Sequence, residues 1–122
     1  MAAPNIVNVT SIYGKTVGAA LTTTTSTTIV SCPSNKVLKI NTILISNIDG
    51  TNDATVSCYF RDNSLSSVRS IATTVNVPAD STLVLIDKNT SIYLEESDEI
   101  RAGASANSDL NIIISYEEID DA

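Results

Sequence analysis

Apolar and polar residues alternate along most of this 122-residue chain, and a period of two marks strands with one buried face. The clearest case runs from Val37 to Ile48. On a regular strand, Leu38, Ile40, Thr42, Leu44, Ser46 and Ile48 fall on one side, and Val37, Lys39, Asn41, Ile43, Ile45 and Asn47 on the other. Neither side is wholly polar. The pattern therefore predicts a central strand whose second side is partly covered by a loop, an arm or a neighbouring subunit. Asp49-Gly50-Thr51-Asn52-Asp53 reads as a hairpin connection. It leads to a returning strand with Ala54, Val56, Cys58 and Phe60 on its apolar face and Thr55, Ser57, Tyr59 and Arg61 on the other.

Further strands are expected over residues 5–13, ending at Gly14, and over 16–22, 27–32, 67–77, 82–86 and 91–94, the last two in a second sheet. Two more run from Ile100 to Ala106 and from Leu110 to Glu117. In the first of these, the small side chains of Ala102, Ala104 and Ala106 imply close approach of another layer. Eight to nine short strands separated by polar turns predict one all-β domain over residues 1–122. Its expected form is an antiparallel β-sandwich or flattened barrel with jelly-roll-like or immunoglobulin-like connectivity, with residues 1–14 free to act as an extended N-terminal arm. Composition supports this: 10 Val, 15 Ile and 15 Thr supply branched Cβ atoms that favour pleated strands.

Charge narrows the partners. Seven Lys and Arg against 14 Asp and Glu give a net charge of −7, which repels a phosphate backbone and anionic lipid alike. Neither nucleic acid nor a membrane is an expected partner. Residues 1–48 carry Lys15, Lys36 and Lys39 with no acid, whereas all the acids follow. One reading is that the basic stretch of one subunit faces the acidic end of the next; the other is that a single folded domain mixes the two.

Candidate chemistry is sparse. His is absent, so the commonest general base and the imidazole metal ligand are missing. Cys32 and Cys58 lie far apart in sequence without a CxxC spacing and read as buried free thiols made in a reducing cytoplasm, the alternative being a bridge between them if their strands pair or face. Ser34 and Lys36 are the nearest approach to a Ser-Lys pair. The acids Glu95, Glu96, Asp98, Glu99, Glu117 and Glu118 could supply a glycosidase pair only if two converged in a cleft. Asp49, Asn52 and Asp53 offer hard oxygens within one loop, but without the spacing of a calcium-binding helix–loop–helix. In each case a capped turn or a solvated rim is the simpler reading, and no enzyme activity, metal or cofactor is expected. Tyr59 and Tyr93 oppose the best apolar faces of their strands and are candidate interface anchors. Ile6, Val7, Val9, Tyr13 and Lys15 join them as candidate contacts near the N-terminus. Phe60 and Tyr116 read as core.

The block from Lys36 to Phe60, KVLKINTILISNIDGTNDATVSCYF, and the stretch from Val77 to Ile119 containing VPADSTLVLIDK and IYLEESDEIR resemble small virion structural proteins of tailed phages of marine bacteria, particularly those infecting cyanobacteria. The likeness covers about two-thirds of the chain and leaves out the Thr-rich N-terminal section. What it implies is a non-enzymatic β-sandwich repeated many times in the virion, as head decoration or in the neck, tail or fibre apparatus, without fixing which; the preferred expectation is a capsid decoration (cement) protein on the outer face of the head shell. The alternative is a neck, tail or fibre-associated module for receptor or glycan attachment. The expected partners are the major capsid protein or another virion protein, together with sister copies clustered as a homo-oligomer, preferably a trimer. Residues 1 to about 30 would contact the shell or a sister subunit.

Overall fold

The computed structural model describes residues 11–120. Nine strands occur in chain order: β1 (Ser11–Ala20), β2 (Thr27–Ser31), β3 (Lys36–Asn47), β4 (Ala54–Asp62), β5 (Ser67–Val77), β6 (Thr82–Ile86), β7 (Ile92–Leu94), β8 (Glu99–Ala104) and β9 (Leu110–Asp120), with a 3-10 turn at Lys88–Thr90 between β6 and β7. A five-stranded sheet runs β1-β9-β3-β6, with β7 also paired to β3, and a four-stranded sheet runs β2-β8-β4-β5. Every pairing is antiparallel. The two sheets pack face to face and do not close into a barrel, which decides between the two architectures expected from the sequence.

Ile40, Ile43, Ile45, Leu94, Leu110, Ile112 and Ile114 of one sheet meet Val56, Cys58, Val77, Ile100, Ala102 and Ala104 of the other, all buried in one cluster. Phe60 and Tyr116 pack half-buried against its margin.

Several expectations need correction. Residues 11–20 form one strand straight through Gly14, paired residue for residue with β9 from Ser11 opposite Asp120 to Ala20 opposite Asn111. Gly14 therefore does not end a strand, and residues 11–14 of the expected arm belong to the sheet; residues 1–10 lie outside the described residues. The Asp49–Asp53 turn is not a hairpin either. It carries the chain from one sheet to the other, because β3 pairs with β9, β6 and β7 while β4 pairs with β8 and β5. Strands β6 and β7 accordingly share the sheet of β3.

The mixed faces of β3 have a local cause. Its pairing with β9 shifts between Ile40, opposite Tyr116, and Thr42, opposite Ser115, so Asn41 is the extra residue of a β-bulge. Such a bulge reverses side-chain parity. Leu38 and Ile40 before it and Ile43, Ile45 and Asn47 after it all face the core, and all five are buried. The expected overlying loop or subunit is not needed to explain the pattern.

Asn47 ends this inner row. Its buried amide nitrogen donates to the carbonyls of Val77 at 2.9 Å and Asn52 at 3.1 Å, and its side-chain oxygen accepts from the Asp49 N–H at 2.9 Å. One side chain thus ties the crossing between the sheets to the end of β5.

Candidate functional site

The five-stranded sheet has an outer face on which β1, β9, β3 and β6 lie side by side. Gly18 stands opposite Ile113, Ile113 opposite Leu44, and Leu44 opposite Val84. Residues opposite one another share a face, so these four form one apolar row across the sheet. Val84 is 53% exposed and Ile113 41% exposed. Because Gly18 has no side chain, the flank of Ile113 is open. A shallow depression of about 350 Å³ lies there, bordered by Gly18, Ala20, Asn111 and Ile113. Grouped exposed apolar residues mark contact surfaces more often than scattered ones do.

A second feature sits at the mouth of the sandwich. Phe60, Arg69, Ser70, Ile71, Ile92 and Tyr93 line a largely apolar groove of about 260 Å³ between β4–β5 and β7. Tyr93 is exposed at its rim. Tyr59 does not join it, because Tyr59 projects from the opposite face of β4 to Phe60, in register with Arg101 and Ser70. The two tyrosines singled out from the sequence therefore do not form one site.

Of the N-terminal candidates, Ile6, Val7 and Val9 lie outside the described residues. Tyr13 is 56% exposed on β1. Lys15 is engaged within the chain. Its Nζ lies 3.2 Å from Glu118 Oε2, the same oxygen that Lys36 Nζ reaches at 3.2 Å, and Lys36 also pairs with Asp120 at 3.4 Å. Topology explains this. Strand β9 is inserted between β1 and β3, so the acidic C-terminal strand lies between strands carrying the basic residues. The charge segregation seen along the sequence is thereby largely answered inside one subunit.

Burial of Glu118 disfavours its charge, but hydrogen bonds and charge from Lys15 and Lys36 outweigh this and hold the carboxyl below its usual range. For a lowered acid the sign is fixed: its stabilisation is complete above the unfolded-state pKa and disappears as pH falls through the folded-state pKa. Thermal unfolding temperature is expected to change little from pH 8 to about pH 5 on account of this group, and to drop below about pH 4. Glu118→Gln should lower stability at pH 7 by about 2 kcal/mol and make the acid limb shallower, as measured by denaturant unfolding across that range.

The remaining chemical candidates are tied up structurally. The Glu118 hydrogen bond raises the pKa of Lys36, the opposite of what a base for Ser34 needs. Asp49 accepts from the N–H groups of Thr51 at 2.8 Å and Asn52 at 3.2 Å, and these bonds lower its pKa. Asp53 accepts from the Ala79 N–H at 3.0 Å. The loop oxygens are thus used as turn caps, and among the described residues no group of three or more His, Cys, Asp or Glu could hold a metal ion.

In the acidic turn, buried Asp98 accepts from the N–H groups of Asn63 at 3.0 Å and Glu95 at 3.1 Å. Glu96 accepts from the Asn35 N–H at 3.0 Å. Glu99 accepts from Arg101 at 2.7 Å and from Thr28 at 2.9 Å, and the Arg101 bond lowers its pKa. Asp98, Glu96 and Glu99 thus each tie the β7–β8 region to a neighbouring turn or strand. Cys32 and Cys58 are free and buried, and burial pushes their thiols up to about 11 and about 12.

Sequence reasoning missed the apolar row, because parity counted without the bulge put Leu44 and Leu38 on one face. The three consecutive isoleucines 112–114 were the available signal: in a strand, one of them must face outward. No family model and no curated protein matches this chain.

Proposed function

We propose that this protein is a non-enzymatic virion structural protein, a decoration protein that seats the outer face of its five-stranded sheet on the head shell of a tailed phage. The observation that carries this reading is the apolar row Gly18–Ile113–Leu44–Val84 across the outer face of the five-stranded sheet. An open apolar surface of this kind, with only a shallow depression, suits a protein partner better than a small molecule, and repetition over a lattice converts a modest contact into high avidity.

Connectivity gives further support. With β6 and β7 taken as one interrupted strand, the orders β1-β9-β3-β6/β7 and β2-β8-β4-β5 support reading the sandwich as a jelly roll. That architecture is used by viral capsid domains, and also by lectins and cupins. Fold alone does not assign function, so the surface has to decide.

The test uses particles of the source phage. Mass spectrometry of gradient-purified virions should detect the chain, and labelled antibody should mark heads. Adding the purified protein to undecorated heads should restore occupancy, which Val84→Glu with Ile113→Lys should reduce at least tenfold. Absence from virions, or unchanged occupancy in the double variant, would refute the reading. Label confined to the tail would favour the alternative, a tail or fibre module for receptor or glycan attachment, for which the Phe60–Tyr93 groove is the supporting feature.

A further inference from the structure

Two open sheets have four edges, and an unprotected edge invites another strand. Three of the four are blunted. Strand β5 shifts register twice against β4 and has Thr74 at a φ of 50°. Strand β2 is five residues long and irregular between Thr28 and Val30. The β6/β7 edge is broken by the 3-10 turn and bulged opposite Ile43 and Leu44.

Strand β1 has none of these devices. It is ten residues long, pairs with β9 without a register shift, and among the described residues pairs with nothing on its other side. It contains no Pro. Its one charged side chain, Lys15, is drawn to Glu118.

The side chains of β1 are also distributed asymmetrically. Its N-terminal half carries Ile12, 55% exposed, and Tyr13, 56% exposed. The C-terminal half carries Gly18, Ala19 and Ala20. A two-fold axis at Thr16 would set a second β1 antiparallel to the first. Ile12 would then lie against Ala20, Tyr13 against Ala19, Gly14 against Gly18, and Thr16 against Thr16 of the other copy. At both ends of the paired strands the large Ile12 and Tyr13 meet the small Ala20 and Ala19, and Lys15 faces Val17 rather than its own counterpart. We infer that β1 is a self-pairing edge through which two copies of this chain join their five-stranded sheets into one continuous sheet.

This goes beyond the decoration reading and does not rest on it, because the edge and the outer face are separate surfaces. Three-fold clustering on a shell would then have to use a surface other than β1.

The test uses the full-length chain. Sedimentation and light scattering should give an oligomer built on twice the 12.9 kDa chain mass. Thr16→Cys should form a disulfide-linked dimer under mild oxidation, whereas Arg69→Cys on the β5 edge should not. The native cysteines do not confuse this readout, since both are buried. Thr16→Lys, which places two ammonium groups opposite one another, should weaken self-association at least tenfold while leaving the circular dichroism spectrum unchanged. If that variant fails to fold, the cysteine pair decides. A monomer at all concentrations would overturn the inference. So would an oligomer that Thr16→Cys does not cross-link, or a folded Thr16→Lys variant that associates like the wild type.

Discussion

Gly103→Ala is expected to destabilise the domain by about 3 kcal/mol, an unusually large effect for one methyl group. Gly103 is buried in β8, opposite Ser57 of β4, on the side of the four-stranded sheet that faces away from the core. The backbone of the Thr-rich segment crosses it there. An added Cβ would collide with Thr25 Cα and lie 2.9 Å from both the Thr24 carbonyl oxygen and the Thr25 nitrogen. These are main-chain atoms and cannot rotate aside as a long side chain could.

The crossing segment is also anchored. Ala104 N donates to Thr22 O at 2.8 Å, Ser108 N to Leu21 O at 3.0 Å, and Thr23 N to Asn107 Oδ1 at 3.0 Å. Relief of the clash must therefore break hydrogen bonds or distort β8. Denaturant unfolding of Gly103→Ala should show the loss, with Gly14→Ala as the comparison, since a Cβ there meets nothing within 4 Å. Equal stability of the two variants would show that the Thr24–Thr25 backbone does not rest on β8.

The same region shows where the sequence was readable. The alternation of Ile100, Ala102 and Ala104 was legible and gives the inner face of β8 correctly. The small residues also signalled a close neighbour, but the closest approach is at Gly103, on the other face. Periodicity identifies which residues share a face and says nothing about which loop will cross the opposite one.

Strand pairing failed for a related reason. Asp49–Asp53 has good turn chemistry, and a local reading favours the nearest strand as partner; the actual partners of β3 are β9, β6 and β7. Those pairings depend on burying Ile43, Ile45, Ile112 and Ile114 together over long sequence separation. Asn41 was the other missing signal, because an inserted residue leaves a pattern indistinguishable from a strand buried on both faces. The charged residues followed suit. Glu118 looked like part of a solvated acidic terminus until the placement of β9 between β1 and β3 put it beside Lys15 and Lys36. Of the candidate contacts, Tyr93 is at a groove and Tyr13 on an open edge. Lys15 is committed to an internal ion pair, and Tyr59 stands apart on the other sheet.

The isoleucine triplet offers the sharpest separation of stability from surface function. Ile114 is fully buried, in register with Ile43 on one side and Val17 on the other. Ile114→Ala should cost about 4 kcal/mol, the sum of the lost transfer energy and a cavity that two sheets held by cross-strand pairs cannot collapse to fill. Ile113 is its neighbour in sequence but points outward, so Ile113→Ala should change stability by no more than about 0.5 kcal/mol.

If the outer row is the surface that meets another protein, the order of effects reverses in a binding assay. Ile113→Ala should weaken attachment to heads severalfold while the protein remains folded. Ile114→Ala, compared at a temperature where it is still native, should bind like the wild type. Equal stability losses at both positions would mean that β9 does not present alternate faces to core and solvent. Because Gly18, Leu44 and Val84 are placed on the outer face only through their register with Ile113, that result would remove the proposed contact surface along with the face assignment.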